Sequence, residues 1–235
     1  MASVAADMTE LQFLGDTLLQ LLSGVPLTIM LTVGSVAIGG VLALIFALLR
    51  AGTRIGAVFV SLYVFVFRGT PLLLQIFLIY YGLGQFAWLR ASILWPFLRE
   101  PWCCAILSLA LNTAAYESEI LRGAFASVPA GAVEAGRAAG MSRLLLLRRV
   151  ILPLAIRQGL PAYGNELISM VKATSLASLI TLMEVTGIAY AIISETYRAI
   201  EVFLCAGAIY LVLNFALVRG IAAMEAWLSP AVHRA

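Results

Sequence analysis

Five long apolar stretches run through this chain, separated by short polar segments. Residues 17–49 contain no charged side chain and predict a first membrane span over 25–49. A helix needs about 20 mostly apolar residues to cross the hydrocarbon core. The later stretches predict spans over 55–83, 102–125, 159–180 and 202–224. All five are expected to be helices, because backbone in lipid must satisfy its own hydrogen bonds. The second stretch is interrupted by Arg68-Gly69-Thr70-Pro71 and is too long for one untilted helix and too short for two. Pro71 lacks an N–H and collides with the preceding turn, so a kink is expected over 69–71. The fold class predicted is an all-α polytopic membrane bundle of about five transmembrane helices, a single membrane domain over residues 1–235.

Composition supports that class. Apolar residues make up 63% of the 235 positions and charged residues 11%, against about 25% charge in soluble domains. The net charge of +3 does not point to nucleic acid; its distribution matters more. Arg50, Arg54, Arg137, Arg143, Arg148, Arg149, Arg157, Arg219 and Arg234 fall on one side of a five-span arrangement. Arg90, Arg99 and Arg198 fall on the other, diluted by Glu100, Glu184, Glu195 and Glu201. The positive side is expected to be cytoplasmic, which puts the N-terminus outside and the C-terminus inside. Asp7, Glu10 and Asp16 with no basic n-region do not resemble a cleaved signal peptide. Cys103, Cys104 and Cys205 form no C-x-x-C pair and read as small apolar residues. The one histidine, His233, excludes a His-rich metal site. Lys172 is the single lysine, between Val171 and Ala173, so no G-x-x-x-x-G-K-[ST] phosphate loop exists. The chain therefore has no ATPase motif of its own and no catalytic residue is assigned.

The polar segment over about 128–156 is the most organised interruption. Pro129 starts an element rich in helix formers, Gly140 ends it, and Ser142 caps a second helix running toward Pro153. Two short helices joined by a turn would lie across the membrane face. Two readings stand: a hairpin that covers the bundle, its Arg143, Arg148 and Arg149 touching anionic headgroups, or a docking element for an aqueous partner.

Charges inside spans are functional candidates. Arg68 lies about 14 residues from the Arg50–Arg54 turn, roughly 20 Å at 1.5 Å per residue, which is far for snorkelling. Asn112, Tyr116 and Glu119 share one helix face while Glu117 points elsewhere. Glu119 reads as an ion pair with Arg122 at i+3; Asn112 reads as either interhelical glue or path lining. Glu166 and Lys172 are six apart, so each needs a partner on another helix or in a ligand.

Several of these segments carry a resemblance. Glu134-Ala135-Gly136, three residues, Gly140, nine residues, Val150-Ile151-Leu152-Pro153 resembles the EAA loop of ABC importer permeases, with Gly136 and Val150 as departures. Phe67-Arg68-Gly69-Thr70-Pro71-Leu72 with Gln75 resembles the F-R-G-T-P-L-x-x-Q signature of the polar amino-acid permeases. The run from Asn112 to Gly123, and Asn165-Glu166 followed by Lys172-Ala173-Thr174-Ser175-Leu176, are similar to the same family. Ala173 departs from the acidic residue of many relatives. The nearest likeness is to permeases for histidine, lysine, arginine and ornithine, and for octopine and nopaline.

That resemblance implies the type I ABC importer permease fold in a bacterial inner membrane. It implies a cytoplasmic ATPase dimer carrying the ATP and magnesium, a second homologous permease subunit, a periplasmic solute-binding protein, and an amino acid or opine as cargo. The chain itself needs no cofactor. Glu134, Ala135, Gly136, Ala139 and Gly140 are the expected ATPase-coupling residues, with Ala135, Gly136 and Ala139 forming a small-residue docking surface. Arg68, Asn112, Glu166, Lys172 and Ser175 are the expected path residues, Arg68 meeting the cargo carboxylate and Glu166 its amino group. Residues 85–100 and 181–201 are expected to form the outer face that receives the binding protein. An autonomous channel or secondary transporter, or a membrane-assembly protein, would have no use for the full set.

Overall fold

The computed structural model describes residues 2–228, with side chains from residue 9 onward. His233, Arg234 and the side chain of Asp7 lie outside the described residues. Among those described there is no strand. The helices are α1 (Ala2–Leu22), α2 (Val25–Gly52), α3 (Arg54–Gly69), α4 (Leu72–Phe77), α5 (Ala87–Arg90), α6 (Trp95–Leu98), α7 (Pro101–Ala126), α8 (Ala130–Ala138), α9 (Arg143–Leu146), α10 (Leu152–Ala173), α11 (Val185–Thr196) and α12 (Ala199–Leu228). A π turn at Leu78–Gly82 and a 3-10 turn at Leu83–Gln85 extend α4. A second π turn at Leu147–Ile151 leads into α10, and a 3-10 stretch at Thr174–Ile180 leaves it. The second π turn precedes Pro153, whose missing N–H interrupts the i→i−4 ladder there.

Thr9–Gly52 and Ala199–Leu228 are each long and apolar enough to cross a membrane. Two bent pairs meet the same test, Arg54–Gly69 with Leu72–Gln85 and Arg143–Ile180 with Val185–Thr196. By length and composition that is two to four spans; α7, a 26-residue helix over the expected third span, is less apolar and is not among them. Its polar residues lower its apolarity because it is the central helix: Asn112, Thr113, Glu117 and Ser118 are all buried. Leu48, Phe65 and Leu211 on the outer helices are more than 70% exposed, the inside-out pattern of a lipid-facing bundle.

The expected kink in the second stretch is a full break. α3 and the α4 segment meet at 104°, so the stretch is two helices rather than one bent helix. α1 and α11 are helices that the apolar pattern alone did not predict.

Close packing at the centre depends on Gly39. A side chain there would fall 3.1 Å from the carbonyl oxygen of Ala110 and into the methyl of Thr113, so α2 and α7 touch backbone to backbone. Around this contact, Leu31, Ile76, Cys104, Leu109, Met170 and Ile180 form one buried cluster. Leu21, Val185, Ala189, Val202 and Ile209 form another, joining α1, α11 and α12.

Candidate functional site

The site begins at the break between α3 and α4. Thr70 and Pro71 are extended, so carbonyls at the end of α3 lose their helical partners. Gln75, buried one turn into α4, replaces them. Its Nε2 donates to Phe67 O at 2.9 Å, Thr70 O at 3.1 Å and Thr70 Oγ1 at 2.9 Å. Its Oε1 accepts from Asn112 Nδ2 at 2.9 Å, and Asn112 also donates to Phe67 O at 3.3 Å. Asn112 therefore ties α7 to the break and also borders the space beside it.

That space is a chamber of about 360 Å³ lined by Thr70, Leu72, Asn112, Tyr116, Glu166 and Ser169, among others. Glu166 is half-buried, and its Oε1 accepts a hydrogen bond from Thr113 Oγ1 at 2.5 Å. The second carboxylate oxygen is left for whatever enters. Tyr116 is shared with a neighbouring cavity lined by Arg68, Glu119, Arg122 and Gln158.

The structure brings together only part of the expected path set. Asn112 and Glu166 line the chamber. Arg68 lies next to it, in the last turn of α3, its guanidinium 4.8 Å over the Tyr116 ring. It is exposed where the break ends α3, and it lines the neighbouring cavity rather than the chamber. Lys172 and Ser175 do not line the chamber. Lys172 is exposed on the last turn of α10, and Ser175 Oγ donates to Lys172 O at 2.7 Å. Lys172, six residues after Glu166, lies about 120° around α10 from it, and Ser175 belongs to the 3-10 stretch that follows.

Glu119 is paired as expected with Arg122, at 2.7 Å, and also with Arg50, at 2.5 Å. Arg50 in turn donates to Ser61, so a three-helix ion network closes the end of the bundle that carries the polar hairpin. Sequence reasoning missed Ser169 and Glu117. Ser169 lies three residues after Glu166, a helical spacing that could have flagged it. Glu117 is 2% exposed beside Tyr163, and neither of its oxygens has a hydrogen-bond partner among the described residues. It borders a separate apolar cavity of about 310 Å³ between α2, α7 and α10.

The hairpin is built as its sequence suggests. At the end of α8, Gly140 adopts φ +75°, the left-handed conformation that glycine takes without penalty. Met141 N donates to Gly136 O at 3.1 Å and Gly140 N to Arg137 O at 2.9 Å, the 6→1 and 5→2 bonds of a Schellman motif. Ser142 Oγ then accepts from Leu145 N at 3.4 Å to cap α9. Glu134, Ala135 and Ala139 are exposed. Gly136 is not: it is buried beneath the Leu146 side chain. Its expected place on the docking surface is corrected, since its missing side chain serves the contact between the two hairpin helices.

Residues 39–230 match the family described as the binding-protein-dependent transport system inner membrane component. The octopine transport system permease protein OccM of Rhizobium meliloti is 60% identical over 214 residues, covering 91% of this chain and 87% of OccM. The nopaline transport system permease protein NocM of Agrobacterium fabrum is 51% identical, covering 94% and 92%. The arginine ABC transporter permease protein ArtM of Haemophilus influenzae is 41% identical, covering 83% and 86%. A crystal structure of an amino acid ABC transporter with histidines superposes with a TM-score of 0.78 at 34% identity, covering 94% of this chain and 96% of that one. The MetNI methionine transporter, at 18% identity and a TM-score of 0.64, shares the fold.

Proposed function

Because the chain belongs to the family of binding-protein-dependent transport system inner membrane components, we propose that it is half of the translocation path of an ATP-driven importer for amino acids with cationic side chains, or for opines. The observation that carries this reading is the half-buried Glu166 beside Asn112 in a chamber of amino-acid size, at a helix break. A carboxylate with one oxygen committed to Thr113 has the other free for a guanidinium or ammonium group. The permeases similar to this chain are named for octopine, nopaline and arginine, which agrees with a cationic cargo. Arg68 stands at the neighbouring cavity, where a cargo carboxylate can meet it on the way through. Lys172 and Ser175, which do not line the chamber, are left out of this reading.

The same proposal assigns the hairpin to a separate cytoplasmic ATPase dimer, which binds the ATP and magnesium. Glu134, Ala135 and Ala139 would form the contact and Gly140 the turn that presents them. A second homologous permease, most simply a heterodimer partner, completes the path, and a periplasmic binding protein delivers the cargo. Rigid-body rocking of the two halves then alternates access. Co-expression tests the reading. The ATPase should co-purify with this chain, and binding protein loaded with arginine should raise its ATPase rate. A chain that moves solute without either partner would refute it.

The proposed orientation follows the arginines: hairpin and C-terminus cytoplasmic, N-terminus periplasmic. Cysteine at Ser142, exposed on the hairpin, should react with an impermeant maleimide only from the cytoplasmic side. Cysteine at Ser194, exposed on α11, should react only from the periplasmic side. Labelling of both from one side would overturn this topology.

A further inference from the structure

We propose that residues 86–102 form a membrane-interface anchor, an aromatic and weakly basic strap lying in the lipid headgroup layer at the end of the bundle opposite the hairpin. The inference goes beyond the transport reading and uses only which end carries the hairpin.

The strap holds to the bundle by one side. Leu89 is buried, Trp95 packs against Gly84, and Cys104 Sγ donates to Leu98 O at 3.0 Å. Its other side is apolar and uncovered: Trp88 is 71% exposed, Ile93 89% and Phe97 61%, with Phe86 and Leu94 also exposed. Trp88, Trp95 and Trp102 are three of the chain's four tryptophans within 15 positions. Tryptophan favours the bilayer interface, where its ring is half in hydrocarbon and its N–H meets polar groups. Glu100 is the strap's one acidic residue and pairs with Arg99 at 3.4 Å, which leaves the exposed Arg90 to supply a guanidinium group for lipid phosphate.

Continuity singles out lipid as the occupant. The span leading into the strap already exposes Leu78 and Tyr81, and the uncovered apolar surface runs on from them to Phe86 past one exposed polar side chain, Gln85, which folds back to donate to Tyr81 O. The other segment at this end, residues 181–201, is mixed. It exposes Met183, Tyr190, Tyr197 and Ile200, but also Ser194 and Glu195, and carries Arg198 ion-paired with Glu201 at 3.0 Å. We assign the water-soluble binding protein to those polar groups and lipid to the tryptophan-rich strap.

The test is a nitroxide at Ile93→Cys in full-length chain carrying Cys103→Ser, reconstituted in nanodiscs of phosphatidylethanolamine and phosphatidylglycerol. Cys104 and Cys205 are buried and need no replacement. Collisions with dissolved oxygen should exceed those with a water-soluble nickel chelate about fivefold at position 93, with the order reversed for Glu195→Cys, as depth in an interface dictates. Equal chelate access at both positions would overturn the anchor. So would chelate access at 93 that disappears only when binding protein or the second permease is added, because the strap would then be that partner's surface. If Ile93→Cys does not assemble, the unlabelled chain serves. Its tryptophan fluorescence should be quenched more by lipid brominated near the headgroup than at the chain end, and the reverse order would overturn the proposal.

Discussion

Replacing Glu166 by glutamine is expected to weaken uptake of a cationic amino acid on the order of 10- to 100-fold while leaving assembly intact. A charge-assisted hydrogen bond contributes about 1.5–3 kcal/mol, and that is the interaction removed. The substitution keeps the shape and keeps an acceptor for Thr113 Oγ1, so the α7–α10 contact survives. The measurement is uptake of arginine and of its neutral isostere citrulline in proteoliposomes, alongside the melting temperature of the complex. A selective loss for arginine at unchanged melting temperature supports a cargo-facing carboxylate. Poor assembly with a large drop in melting temperature would move Glu166 to the scaffold, and unchanged uptake of both solutes would remove it from the path.

Gly140→Leu should uncouple the hairpin. Its φ of +75° is open to glycine but raises the energy of an ordinary L residue by about 1–2 kcal/mol. No atom lies within 4 Å of where the new Cβ would stand, so the effect is one of backbone conformation and of bulk on an exposed turn. Distortion there loosens the bonds from Met141 to Gly136 and from Gly140 to Arg137. ATPase retention and uptake should both fall about tenfold, the scale of that penalty, while the chain still inserts. Gly140→Asn, which tolerates the left-handed region, should keep most of both. Wild-type ATPase binding and uptake in the leucine variant would separate the hairpin from coupling.

The apolar stretches located the long helices well because burial in lipid is nearly continuous along each. α7 was among them, expected over 102–125 and helical over Pro101–Ala126, although Asn112, Glu117 and Glu119 dilute its apolarity. Pro71 announced a discontinuity, yet its angle depends on Gln75 and Asn112 rejoining the loose carbonyls across 37 residues, a contact no local pattern encodes. α1 and α11 escaped notice for a related reason: both are held by the Leu21–Val185–Val202 cluster rather than by an apolar run of spanning length.

Residue type flagged the candidate site better than it placed it. Asn112 and Glu166 were legible because polar groups inside a span must face something polar. Lys172 and Ser175 looked equivalent to them, but Lys172 faces another side of α10 from Glu166 and Ser175 falls in the 3-10 stretch beyond it. Gly136 shows the same limit in the hairpin. A small residue in an exposed helix suggests room for a partner, whereas here Leu146 occupies that room.

The latch at the helix break has a kinetic consequence. Thr70, Gln75, Asn112 and the Phe67 carbonyl satisfy one another within the protein. A solute that engages Asn112 must exchange bonds with the protein rather than add to them, so the net gain from each contact is small. On the proposed path such a compartment would favour brief residence, with a cargo oriented in passing and the wall closing behind it.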